Sequence, residues 1–266
     1  MRILIFSLVI LLSVSACEEV GPTINIIPPE RKVLVEEFTG VQCVNCPEGS
    51  EKLETLLDQH GENLIVVSIH SGFFSVPHAT SAIDFRTPEA DALDGFIGPV
   101  TFYPSASINR KLFDGENSRL VNLAKWAGLI QQELAEVSPV EMELNTTYDA
   151  STRNLEVSTS LNFFEDINQP VHISVLVTET DVVDSQLDLD GLQTDYVHKH
   201  VMRDMLTNFD GQLITNATIA NSPVVNNFSI TLPNEWDELN CAVVAYVHFV
   251  SPQFDVLQAE EVKILQ

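Results

Sequence analysis

Lys32-Val33-Leu34-Val35-Glu36-Glu37-Phe38-Thr39-Gly40-Val41-Gln42-Cys43-Val44-Asn45-Cys46-Pro47 is the stretch on which the fold of the first half turns. Its opening seven residues read as a strand that stops at the Thr39-Gly40 break. Beyond the cysteines, over residues 44–60, Leu53, Leu56 and Leu57 recur at helical spacing, and Gly61 supplies a stop. Cys43-Val44-Asn45-Cys46 therefore falls between a strand and the opening turn of a helix. Free backbone N–H groups and the helix dipole at such a place stabilise a thiolate and lower the pKa of the first sulfur. Two cysteines one helical turn apart can also close a small, reducible disulfide. A zinc site would need a second ligand pair at similar spacing, and the sequence has none.

Working outward, residues 63–70 contain the buried-strand run Leu64-Ile65-Val66-Val67. A short helical stretch follows Thr87-Pro88, and a second short strand lies within residues 98–110. Residues 118–137 place Leu120, Leu123, Trp126, Ile130 and Leu134 at the spacing of an amphipathic helix. Strands alternating with helices predict an α/β domain over residues 32–137. After Ser138-Pro139 the pattern changes. Alternating or β-branched runs recur at 140–148, 155–164, 171–180, 224–232, 242–250 and 256–265, separated by turn residues such as Asn168-Gln169-Pro170. That pattern predicts an all-β sandwich over residues 138–266.

The N-terminus reads as an address. Behind Met1-Arg2, an apolar run over residues 3–14 is too short to span a bilayer but fits a secretory h-region. It ends in Val14-Ser15-Ala16-Cys17, which resembles the bacterial lipobox. Residues 1–16 are expected to be a removed signal peptide, Cys17 the lipidated residue, and residues 17–31 a Pro-rich tether. A protein so held is anchored rather than membrane-spanning. The acidic pair Glu18-Glu19 resembles the surface-export signal of some bacterial lipoproteins, with a plain acidic tether as the alternative. The formal net charge of −25 argues against nucleic acid, whose phosphates call for clustered Lys and Arg. Acids outnumber bases by 18 to 8 over residues 17–137 and by 20 to 4 over 138–266, so the acidity is concentrated in the second half.

The segment from Val35 to Cys46 resembles the thioredoxin superfamily, in which a strand carrying a buried acid leads into a CxxC. The resemblance implies that Cys43 is the nucleophile, Cys46 the resolving thiol, and Glu37 the carboxylate that assists proton transfer. It also implies a cis-proline facing the cysteines. Tyr103-Pro104, just before Ser105-Ala106-Ser107-Ile108, is the matching segment, with the backbone of Tyr103 free to pair with an extended substrate. Only an X–Pro bond adopts cis at low cost. Departures from the pattern are Gln42 in place of tryptophan before the first cysteine, and Val44-Asn45 between the two. The motif alone leaves a reductase, an oxidant or isomerase, and a structural disulfide open.

Weaker features receive quieter readings. His198-Lys199-His200 would put two imidazoles on one face of a strand, without a third metal ligand; packing or hydrogen bonding is the expected role. Asp188-Leu189-Asp190-Gly191 partly resembles a calcium loop but lacks its first acid and its bidentate glutamate, which leaves an acidic turn, with weak calcium binding as the alternative. Cys241, in an apolar strand, is expected to be a buried free thiol. Neither a metal nor an organic cofactor is expected.

The lipobox, Phe38-Thr39-Gly40-Val41-Gln42-Cys43 through Cys46-Pro47, Tyr103-Pro104 with Asn109-Arg110, His198-Lys199-His200-Val201-Met202-Arg203, and Val244-Ala245-Tyr246-Val247 ahead of Val256-Leu257-Gln258-Ala259 occur in this order. Together they resemble the outer-membrane-protein-28-related family of bacterial lipoproteins. The resemblance implies a thioredoxin-like domain joined to an immunoglobulin-like sandwich on an outer-membrane lipid anchor, with envelope or outer-membrane proteins as partners. One departure is Thr207-Asn208-Phe209-Asp210-Gly211, where a Gly-Thr-Trp-Gly-like turn is expected. Two functions follow: a cell-envelope thiol–disulfide oxidoreductase, or a non-enzymatic assembly module whose CxxC disulfide is structural.

Overall fold

A computed structural model of the chain describes residues 29–214 and 219–265; the h-region, Cys17 and the tether as far as residue 28 lie outside them. Strand β1 (Val33–Thr39) is buried along its whole length. Side chains alternate across a strand, so its residues serve two layers. Val33 and Val35 pack with Leu53 and Leu56 of helix α1 (Cys46–His60) and with Trp126 and Ile130 of helix α3 (Trp126–Leu134). Leu34 and Phe38 face the other way, onto Ala90 and Leu93 of helix α2 (Pro88–Ile97).

The helix boundaries follow from local chemistry. Pro47 opens α1, where its missing N–H costs nothing, and Gly61 closes it at φ 55°, a left-handed value that glycine adopts without strain. Thr87 caps α2 by accepting a 3.0 Å bond from the Ala90 amide.

Strand β2 (Leu64–His70) runs parallel to β1, and β3 (Ser105–Ile108) lies antiparallel on its other side. The expected helix over residues 118–137 is shorter than its spacing suggested. Leu120–Asn122 instead forms strand β4, antiparallel to β3, and α3 begins only at Trp126. Pairing with the free edge of β3 outweighs the helical periodicity there, and Trp126 Nε1 fixes the junction with a 3.0 Å bond to the Val121 carbonyl.

The second half is predominantly β. Strands β5 (Val140–Asp149), β6 (Asn154–Phe163), β7 (Val171–Glu179), β8 (Val182–Asp188), β9 (Gly191–His198), β10 (Val201–Met205), β11 (Gln212–Leu213), β12 (Val224–Thr231), β13 (Cys241–Phe249) and β14 (Val256–Lys263) follow in order. Five of them join the first sheet, which reads β14-β13-β7-β10-β2-β1-β3-β4 with β11 paired on β7. The join is narrow: Val201 pairs with Ser68, and the Ser68 amide donates to the His200 carbonyl at 2.8 Å. A three-stranded sheet, β12-β6-β5, lies over β7 and β13, and Leu155, Leu161, Phe163, Val175 and Val243 fill the space between. The β8–β9 hairpin stands apart as a two-stranded sheet of its own. Periodicity did not reveal it, because Asp184, Ser185, Gln186, Gln193 and Asp195 interrupt its apolar alternation. None of the described helices is long and apolar enough to cross a membrane.

Candidate functional site

Cys43 and Cys46 are joined in a disulfide, with their Cα atoms 5.4 Å apart. The turn that carries them is closed by the Cys43 amide on the Gly40 carbonyl at 3.0 Å and by the Cys46 amide on the Cys43 carbonyl at 3.2 Å. One turn further along α1, Gly49 leaves room for two side chains. A Cβ there would lie 2.7 Å from Glu37 Oε1 and 3.0 Å from Pro104 Cβ. The helix opened by Cys46 is therefore in contact with both the buried acid of β1 and the proline before β3. The Tyr103–Pro104 peptide is cis.

Glu37 is fully buried. Its Oε2 accepts a 3.0 Å bond from Ser68 Oγ, and its Oε1 has no partner among the described residues. Burial pushes its pKa up to about 8, against the opposing pull of the Ser68 bond, with the nearby Glu54 charge adding to the rise. The acid is therefore mostly protonated at neutral pH.

A small cavity beside Cys46 is lined by Ser50, Ser68, His70, Tyr196 and His198. The two imidazoles have ring centroids 5.7 Å apart. Burial holds both neutral: His70 lies well below the usual histidine range, pushed further by His198, and His198 is lowered to about 4. They bring no positive charge to the sulfurs. Sequence position singled out His198 but gave no sign that it meets His70, since β2 and β9 contribute one each.

The opposite face of β1 holds a different group. Arg110, fully buried, donates from Nε to Glu36 Oε2 at 2.9 Å and from Nη2 to Glu36 Oε1 at 2.5 Å. The same Nη2 donates to Tyr246 Oη at 2.6 Å, and Ser107 Oγ donates to Glu36 at 3.0 Å. Asn109-Arg110 and Tyr246, far apart in sequence, thus meet at the seam between the two halves. The Asn109 side chain also accepts from the Leu34 amide and donates to Glu133.

Glu37 and Pro104 thus both meet α1 at Gly49, one turn beyond Cys46 of the Cys43–Cys46 pair. Tyr103 adjoins them, with its hydroxyl donating to the Ser71 carbonyl at 3.1 Å and its ring edge-on to Phe74. The two histidines of 198–200 diverge: His198 ends β9 inside the cavity, and His200, in a turn, bonds Glu54 of α1 at 3.0 Å. Asp188 and Asp190 form the tip of the β8–β9 hairpin. Asp188 Oδ1 accepts from the Asp190 amide and from Gln193, as an acidic turn does. No group of three metal-ligating side chains occurs among the described residues. Cys241 is free and buried, its thiol pushed up to about 12 by burial.

Comparison with known proteins bears on the whole arrangement. The model of a family described as outer membrane protein Omp28 matches residues 90–266, a span that begins after the paired cysteines. No curated protein matches in sequence. Among solved structures, HBP35 of Porphyromonas gingivalis is similar in fold at TM-score 0.72 and 20% identity, over 88% of this chain and 76% of that one. Protein AGR_C_4864 from Agrobacterium tumefaciens aligns at TM-score 0.57 and 14% identity, over 90% and 97% respectively. A domain of the outer membrane lipoprotein Omp28 from Porphyromonas gingivalis aligns at TM-score 0.33 and 14% identity, over 48% and 90%.

Proposed function

The chain belongs to the Omp28 family and is located at the outer membrane, and on that footing we propose that it is a lipid-anchored thiol–disulfide oxidoreductase acting on envelope proteins. Residues 32–137 are read as a thioredoxin-like domain. The strand order β2-β1-β3-β4, with α1 and α3 on one face and α2 on the other, supports that reading. Residues 138–266 are read as an immunoglobulin-like sandwich.

The observation that carries the proposal is Glu37. An orphaned, largely protonated carboxyl packs against the helix that Cys46 opens, beside a cis-proline. In the reduced protein the Cys43 thiolate attacks one sulfur of a partner disulfide, and the partner's other sulfur leaves as a thiolate. The ionised fraction of Glu37 then takes the proton from the Cys46 thiol. The resulting thiolate attacks Cys43 Sγ, expels the partner's second sulfur and re-forms the Cys43–Cys46 bond. The partner gains the two electrons that the cysteine pair loses. With a partner dithiol the same steps run backward, and protonated Glu37 supplies the proton to departing Cys46. Tyr103 would pair its backbone with the partner strand. A Cys46→Ser variant lacks the resolving thiol, so it accumulates a mixed disulfide through Cys43 in whole cells. An empty trap would sink the enzymatic reading.

One observation favours a second reading. Cys43 is 3% exposed and Cys46 1%, which suits a structural bridge in an assembly protein. Under either reading Cys17 is the anchor, and fatty-acid labelling is expected to disappear in a Cys17→Ala variant; retained label would remove the anchor from the account.

A further inference from the structure

The disulfide is closed over by residues that come from far along the chain. Gln186 of β8 reaches onto the cysteine turn, and its Nε2 donates to the carbonyls of Cys43 at 3.1 Å and Gly40 at 3.3 Å. The next amide, Leu187, donates to the Val41 carbonyl at 2.8 Å. The connection between β2 and α2 completes the cover. His78 Nε2 bonds the Val41 carbonyl at 2.9 Å, and the Gln42 amide donates to the Phe74 carbonyl at 2.8 Å. Asp184 ties the two covers together, accepting from the amides of Ala82 at 3.1 Å and Ile83 at 2.7 Å, and Thr80 and Ser185 join hydroxyls at 2.8 Å.

Disulfide exchange requires a thiolate to reach a sulfur from outside. With both cysteines almost without exposure, the closed form offers no such approach. We propose that the β8–β9 hairpin is a latch on the site, and that Cys43 and Cys46 exchange with a partner only from a conformer in which the hairpin has lifted. The inference rests on the exchange reading of the site and adds its regulation.

Four features fit a movable latch rather than a fixed part of the core. The hairpin is not hydrogen-bonded into either larger sheet. Its bonds to the cysteine turn and to the β2–α2 connection are polar, through Asp184, Ser185 and Gln186, so water can replace them at small net cost. Its apolar burial is a small cluster of Val182 with Val41, Phe85 and Val201, beside the His198 ring on Phe85. The apolar side chains that it carries outward, the cross-strand pair Val183 and Val197 together with Leu189 and Leu192, are already exposed and lose nothing on opening. Its two roots also share a conformation. Asp181 has φ 60° and His200 φ 52°, left-handed values at the points about which the hairpin would turn, and an ion pair between Lys199 and Asp181 holds these roots together.

The test measures how fast a water-soluble phosphine reduces Cys43–Cys46 in the folded chain, with Cys241 as an internal reporter of global unfolding. Gln186→Ala removes the side-chain seal and should speed reduction by about tenfold or more, with Cys241 still unlabelled. Equal rates for wild type and variant overturn the latch, and so does Cys241 labelling in step with reduction. Should the variant not fold, hydrogen exchange on the wild type decides. The Leu187 amide is expected to exchange far faster than the amides of Val175 and Val243, and equal protection overturns the proposal. Faster reduction in Gln186→Ala alongside an empty Cys46→Ser trap would keep the latch and remove the exchange function. A filled trap with unchanged reduction would do the reverse.

Discussion

Glu36 and Glu37 are neighbours on β1 and equally hidden from water, but the two faces of the sheet treat them in opposite ways. On the face toward β13, Glu36 meets the Arg110 guanidinium and the Ser107 hydroxyl, and Arg110 in turn is held by Tyr246. On the face toward α1, Glu37 meets only Ser68 and keeps one oxygen unpartnered. Taking a carboxylate out of water costs several kcal/mol unless a countercharge offsets it. One face supplies that countercharge; the other leaves the acid to hold its proton. A paired carboxylate ties strands together, whereas an unpaired one with a raised pKa is poised to move a proton. The second kind stands beside the cysteine helix.

The sharpest way to break this contrast is to remove the countercharge. Arg110→Met leaves Glu36 buried with Ser107 alone, and urea unfolding should register a loss of about 3–5 kcal/mol. Adding Glu36→Leu to that variant removes the uncompensated acid, and most of the loss should return. If the single variant costs under about 1 kcal/mol, the pair does not hold the seam.

This asymmetry shows where sequence reading stops. The strand over residues 33–39, the helix closed by Gly61 and six of the later strands could be read from periods of two and 3.6, because local pattern alone determines which face of an element is buried. The Cys43–Cys46 spacing and the Tyr103-Pro104 pair could be read because their chemistry is local too. The resemblance singled out Glu37, but nothing local shows that Glu36 is paired and Glu37 is not. Arg110 lies 74 residues beyond Glu36, and Tyr246 a further 136 beyond Arg110. The same holds for the latch: Gln186 is 143 residues from the cysteine whose carbonyl it binds. Over residues 118–137 a correct local signal lost to a distant one, since β3 needed an edge partner and Leu120-Val121 supplied it.

The unpaired member of the contrast predicts a pH dependence of definite sign. The folded pKa of Glu37, about 8, exceeds its ordinary value of 4.5. Between those values the native state keeps a proton that the unfolded chain gives up. Stability from this group is therefore complete below pH 4.5, declines as pH rises, and is lost above about 8. The ceiling on the slope is about 1.4 kcal/mol per pH unit, so from pH 5 to 7 Glu37 accounts for roughly 2–3 kcal/mol of falling stability. Glu179, Glu260 and Glu261 are also raised by burial, and each slopes the same way. The informative quantity is thus the difference between wild type and Glu37→Gln, which keeps the shape of the side chain and removes its titration. Urea midpoints taken from pH 5 to pH 9 should show the variant gaining on wild type steadily until about pH 8 and then running parallel to it. Parallel profiles throughout would mean that Glu37 ionises as an ordinary carboxylate. In that case it could not hand a proton to Cys46 near neutral pH, and the two faces of β1 would differ in geometry but not in chemistry.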